Sequence, residues 1–166
     1  FKGEGQFVAH LQFKGQNKTG KFKPSKTNLS REQLSLWRDF EKKHLNGELT
    51  GILQVFGDQL YLLPRELPNL SKLKIARNGL HLGTFKKKRF EPSFALGLAM
   101  KPSQVKQSLK ISQEDFLRYV AGETIQLNQN FSNGWYQVLV GGNGLGFAKV
   151  TGNTLKNYFP KGLRFR

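Results

Sequence analysis

The chain has 166 residues, of which 37% are hydrophobic, and a formal net charge of +16 with a pI near 10.3. It is long enough for one domain or two small ones with a buried core, and so basic that its partner is expected to be an anion. With no cysteine, disulfides, thiolate nucleophiles and sulfur-ligated zinc are excluded.

No apolar run approaches the roughly 18 residues of a membrane span and no signal peptide is visible, so a cytoplasmic location without membrane contact is expected. The chain begins at Phe1 rather than Met, which points to a piece of a longer protein. Gln6–Phe13 is rich in aromatic and branched residues and reads as a strand. Residues 14–29 form a basic linker. Its Lys14, Lys18, Lys21, Lys23 and Lys26 stand among Gly, Asn, Ser and Thr, which suits a solvated tether or direct phosphate contact.

Ser30 followed by Gln33 has capping-box spacing, and Leu34, Trp37, Phe40 and Leu45 mark the buried face of the helix that follows. Glu41 projects into that stripe and needs a partner or an exposed helix end. Asn46-Gly47 ends the helix. Ile52–Phe56 and Leu60–Leu63 flank a turn at Gly57, and Leu73–Arg77 and Leu80–Phe85 flank Asn78-Gly79, so two hairpins are predicted. Four cations follow, Lys86, Lys87, Lys88 and Arg89. Pro92 suits the first turn of a helix over Ser93–Met100 whose Leu and Ala residues face a core.

Lys101-Pro102 is a plausible boundary. Beyond it Ser112 caps a short helix (Gln113–Ala121) with Glu114 and Asp115 at its positive end, and Glu123–Leu127 reads as a strand. Trp135–Val140 and Leu145–Val150 flank Gly141-Gly142-Asn143-Gly144, a third hairpin. Aromatic and basic residues interleave from there to the end, and no Asp or Glu follows Thr124. Such a surface suits nucleic acid, although a small barrel with solvated lysines has the same composition. Candidate RNA-binding residues are Lys86, Lys87, Lys88, Arg89, Lys149, Lys156, Asn157, Tyr158, Lys161 and Arg164. Asn157 can donate and accept at once and Tyr158 offers a face for stacking, unless Asn157 caps a turn and Tyr158 and Phe159 fill the core. His10, His44 and His81 lack metal-ligand spacing, and no close acidic pair suggests acid–base catalysis.

Three stretches carry a family resemblance: GEGQFVAHLQF near the start, NGLHLGTFKKKRFEPSFALGLAM ending at Met100, and LGFAKVTGNTLKNYFPKGLR ending at Arg164. In that order they resemble the C-terminal region of bacterial RsmF-type 16S ribosomal RNA cytosine-C5 methyltransferases of the NOL/NOP/Sun family, with Phe147 where the family commonly has Trp. The resemblance implies an α+β fold of two small β-rich domains, the second a PUA-like pseudo-barrel with short helices. Residues 1–13 would be the last strand of an absent methyltransferase domain, 30–100 a middle domain and 101–166 the PUA-like RNA-binding domain. It further implies that this part docks 16S ribosomal RNA or the small subunit as a monomer, while the absent domain binds S-adenosylmethionine and supplies the cysteine thiolate that cytosine-C5 transfer needs. A stand-alone basic RNA-binding or ribosome-assembly protein would share the charge but not the GEGQFVAHL start.

Overall fold

The computed structural model describes residues 26–65 and 79–165. The strand expected at Gln6–Phe13, most of the basic linker, and the Leu73–Arg77 arm with Asn78 lie outside the described residues. Near the linker's end, Asn28 is not free. Its side-chain amide donates to the Val55 carbonyl (2.9 Å) and its oxygen accepts the Val55 N–H (2.8 Å), an imitation of a neighbouring strand.

Helix α1 (Arg31–His44) starts with the expected capping box: Gln33 N–H donates to Ser30 Oγ and Ser30 N–H to Gln33 Oε1. Trp37 and Phe40 are buried, but Leu34 is 40% exposed and Leu36 packs on the core instead. Three residues advance a helix by about 300°, so Leu34 lies about 120° from Phe40 and falls off the buried stripe. Glu41 is 2% exposed, and its carboxylate is satisfied by the Leu49 N–H at 2.7 Å and by Arg38. The partner it needed is therefore present.

Strands β1 (Ile52–Phe56), β2 (Gln59–Leu63), β3 (Leu80–Lys86) and β4 (Arg89–Pro92) form an antiparallel sheet in that order. The fourth strand was not foreseen. Lys86 pairs with Arg89 across the β3–β4 hairpin, so the four cations are the hairpin itself, with Lys88 at φ 58° in the turn. Pro92 closes β4 rather than opening a helix. On this edge strand its missing N–H costs no ladder bond. Ser93 then caps α2 (Phe94–Ala99), its Oγ accepting the Leu96 N–H. Leu96 and Gly97 of α2 are buried with Met100 just beyond, while Leu98 and Ala99 are exposed, against the expectation that all its Leu and Ala face inward.

A second, mixed sheet has the order β5-β7-β8-β9-β6, from β5 (Ser108–Lys110), β6 (Ile125–Gln126), β7 (Gly134–Val140), β8 (Asn143–Thr151) and β9 (Thr154–Lys156), with β5 parallel to β7. Helix α3 (Gln113–Ala121), capped by Ser112 and closed by Gly122, packs on one face of it. The strand expected over Glu123–Leu127 is confined to β6. The fold is α+β with two small β-rich units.

The β7–β8 hairpin turns at Gly141-Gly142, whose φ values of 56° and 85° suit a two-residue turn, and it forms a wall between two cores. Tyr136, Val138, Ala148 and Val150 pack with Tyr119, Val120 and Phe159 on one side. Phe147 and Trp135 meet Trp37, Phe40 and Phe90 on the other. Helix α2 lies against β8 so closely that a Cβ on Gly97 would stand 2.4 Å from the Gly146 Cα. The wholly buried Gln137 fixes the same junction by donating to the carbonyls of Gly97 (2.9 Å) and Met100 (2.7 Å).

Candidate nucleic-acid interface

Counting back from the β7–β8 turn would set Trp135 opposite Ala148. The register instead shifts between Gln137 and Leu139, where Gly146 sits at φ 117°, and Trp135 falls opposite Lys149. Lys149 in turn faces Lys156 on β9. Trp135, Lys149 and Lys156 therefore form one row on one face of the sheet, each neighbour roughly 5 Å away at Cβ. Lys156 is exposed and Lys149 half-buried, and among the described residues neither forms an ion pair. Like charges directly opposite each other cost the sheet stability unless an anion joins them.

Tyr158 stands beside this row. Its ring meets Trp135 edge-on at 4.7 Å between centroids and remains 40% exposed. Burial and then the Glu91 carboxylate raise its hydroxyl above the usual tyrosine range, while Arg89 acts the other way. Arg89 is itself held by Glu91 at 2.9 Å, and Lys86 lies 3.7 Å from Asp58. Lys87 and Lys88 at the tip are exposed and have no ion pair among the described residues. Lys161 opens a short exposed turn near the end.

Two expected site residues make hydrogen bonds within the fold. Asn157 donates both amide hydrogens to main-chain carbonyls, Tyr119 at 2.6 Å and Glu123 at 2.7 Å, while its oxygen accepts the Phe159 N–H at 3.0 Å. It ties the tail to α3. Arg164 folds over Gly122, and its guanidinium reaches Asn157 and the Phe159 carbonyl at 3.4 Å each. Phe159 is core and Tyr158 is not, which divides the two readings of this pair. Trp135, which sequence reasoning treated as strand, belongs to the face. The bulge at Gly146 hid it, and a glycine there was the only signal.

The glycine-rich run lies between two antiparallel strands rather than between a strand and a helix, and Cβ positions at Gly144 and Gly146 are already occupied by Gln137, Gly97 and Phe94. Among the described residues no group of three or more His, Asp or Glu could hold a metal, and no helix is long and apolar enough to cross a membrane.

Comparison with known proteins agrees with this architecture. Residues 39–100 match the model of the first C-terminal domain of RsmF rRNA methyltransferase, and residues 106–165 match the PUA domain of methyltransferase RsmF. The chain belongs to the C-terminal region of the RsmF family. Over 114 residues, 68% of this chain, it is 32% identical to ribosomal RNA small subunit methyltransferase F of Shewanella oneidensis. That stretch is 24% of the relative's length. The RsmF first C-terminal domain thus covers the end of α1, the four-stranded sheet and α2, and the RsmF PUA domain covers the five-stranded sheet and α3.

Proposed function

We propose that this chain is the RNA-docking part of an S-adenosylmethionine-dependent 16S rRNA cytosine-C5 methyltransferase, acting as a monomer on RNA whose chemistry is performed elsewhere in the protein. The observation that carries this reading is the row Trp135, Lys149, Lys156 with Tyr158 beside it, two facing lysines without an acid and an exposed ring within the PUA-domain match. Lys149, Lys156 and Lys161, with Lys86 to Arg89 at the neighbouring hairpin, neutralise phosphates and set the register of the RNA. Tyr158, braced by Trp135, stacks on an unpaired base. Asn157 and Arg164 hold the tail that presents Tyr158. Methyl transfer and the methyl donor belong to the remainder of the protein, since this chain has no cysteine to attack a cytosine ring.

The test is binding of small-subunit RNA fragments to the 166-residue chain. Tyr158→Ala should weaken binding by about 1 to 3 kcal/mol with an unchanged melting temperature. Equal affinity of the variant and the parent chain for every single-stranded segment tested would remove Tyr158 from the interface.

A further inference from the structure

The outer face of the four-stranded sheet has a chemistry that the docking row does not use. Phe56, Tyr61 and His81 lie on three successive strands and form a ladder of rings, with Phe56 edge-on to Tyr61 at 5.7 Å and Tyr61 against His81 at 5.0 Å. They share a face because the register shifts between Leu60 and Tyr61, which lets β3 place both Leu82 and Gly83 toward the core while His81 and Thr84 stay outside. Exposure rises along this face, from Leu63 at 1% to Phe56 at 51%. A phenylalanine that is half in water at a strand end gains little from the fold, and a hydrogen-bonding pair, Thr84 to Gln59 at 2.9 Å, flanks it. Lys86 and Arg89 end the same face on β3 and β4.

We propose that this face is a second platform for single-stranded RNA, stacking bases on Phe56 and Tyr61 and leading the strand to the cations of the β3–β4 hairpin. The inference rests on the RNA-docking reading and extends it to the first of the two units. Charge complementarity selects the occupant. The cations at one edge of the face outnumber Asp58 and Glu91, Lys87 and Lys88 lack acidic partners among the described residues, and aromatic rings interleaved with amides and cations suit bases and phosphates. Phe56 is the exposed ring of this face and Tyr61 on the next strand is half-buried, and neighbouring strands lie roughly 5 Å apart, within the reach of successive nucleotides.

The experiment is anisotropy titration of a short labelled single-stranded RNA with the 166-residue chain and its Phe56 variants, each checked by thermal melting. Phe56→Ala and Phe56→Leu should weaken binding about 5- to 150-fold and Phe56→Trp should preserve it, because stacking needs a ring and not apolar bulk. Ultraviolet cross-linking of the unaltered chain should place RNA on peptides containing Phe56 or Tyr61, a readout independent of any variant's folding. If Phe56→Ala binds normally and cross-links map only to the C-terminal sheet while Lys156→Ala binds weakly, the platform is refuted and the docking row stands. If the chain binds no RNA at all, both fall. If Phe56→Ala leaves RNA affinity unchanged but abolishes association with the rest of the methyltransferase, the face is a protein contact and the proposal is wrong.

Discussion

Gly97→Ala reverses an ordinary rule. In the middle of a helix the change from Gly to Ala normally stabilises by about 0.5 to 1 kcal/mol, since Ala loses less backbone entropy on folding. Gly97 lies within α2, but a Cβ there would stand 2.4 Å from Gly146 Cα, 2.5 Å from Gly146 C and 2.7 Å from Phe147 N. All three are main-chain atoms of β8, so no side chain can swing aside. Relief requires α2 and β8 to separate by about 1 Å, and overpacking of that kind costs about 1 to 3 kcal/mol. The same separation stretches the bonds from buried Gln137 to the Gly97 and Met100 carbonyls, and a buried polar group left unsatisfied costs about 1 to 3 kcal/mol more. The net expectation is a loss of about 2 to 4 kcal/mol, or a fall in Tm of about 5 to 15 °C for a chain of this size. Urea unfolding followed by the fluorescence of Trp37 and Trp135 measures it. Gly162→Ala, where a Cβ meets nothing within 4 Å, is the control and should be neutral or slightly stabilising. A Gly97→Ala chain as stable as its parent would refute the claim that the two units are locked by a glycine-to-backbone contact.

Two further outcomes are expected. Asn157→Ala should lower stability by about 2 to 4 kcal/mol in a thermal melt, because its amide joins two carbonyls and one N–H of the tail and α3; an unaltered melt would mean the tail is held without it. His44 is depressed below its ordinary value of 6.5 by burial first and by Lys43 and Lys106, with hydrogen bonding to the Trp135 main chain opposing. The unfolded chain then binds the proton more readily, so the stability His44 contributes is complete above about pH 6.5 and is lost as pH falls below it. Tm measured between pH 7 and pH 5 should decline less in His44→Asn than in the parent, and identical declines would contradict the assignment.

Local chemistry was legible in the sequence wherever a few adjacent residues decide the outcome: the Ser30 and Ser112 caps, the Gly141-Gly142 turn and the Gly122 stop are set by their own side chains or their lack of one. Partners distant in the chain were not. Glu41 announced a need but not that the Leu49 N–H, eight residues on, would help meet it. The row of Trp135, Lys149 and Lys156 depended on a bulge that moves Lys149 beside Trp135, and periodicity carries no sign of an inserted residue. Asn157 was left between base reading and a turn cap because its acceptors lie on α3 and the turn after it. The cationic run suggested a turn, yet the strand after it was missed because Pro92 discourages strand assignment except at an edge, and edges are known only once the sheet order is known.

The most direct test of RNA docking is the salt dependence of binding by Lys149→Ala, Lys156→Ala and the double variant, with small-subunit RNA titrated at several salt concentrations. Each lysine that neutralises a phosphate should remove about 0.7 to 0.9 from the slope of log affinity against log salt, and the pair about 1.4 to 1.8, with Tm unchanged or raised because the facing charges are gone. Slopes identical to that of the parent chain, in folded variants, would show that this row does not hold RNA.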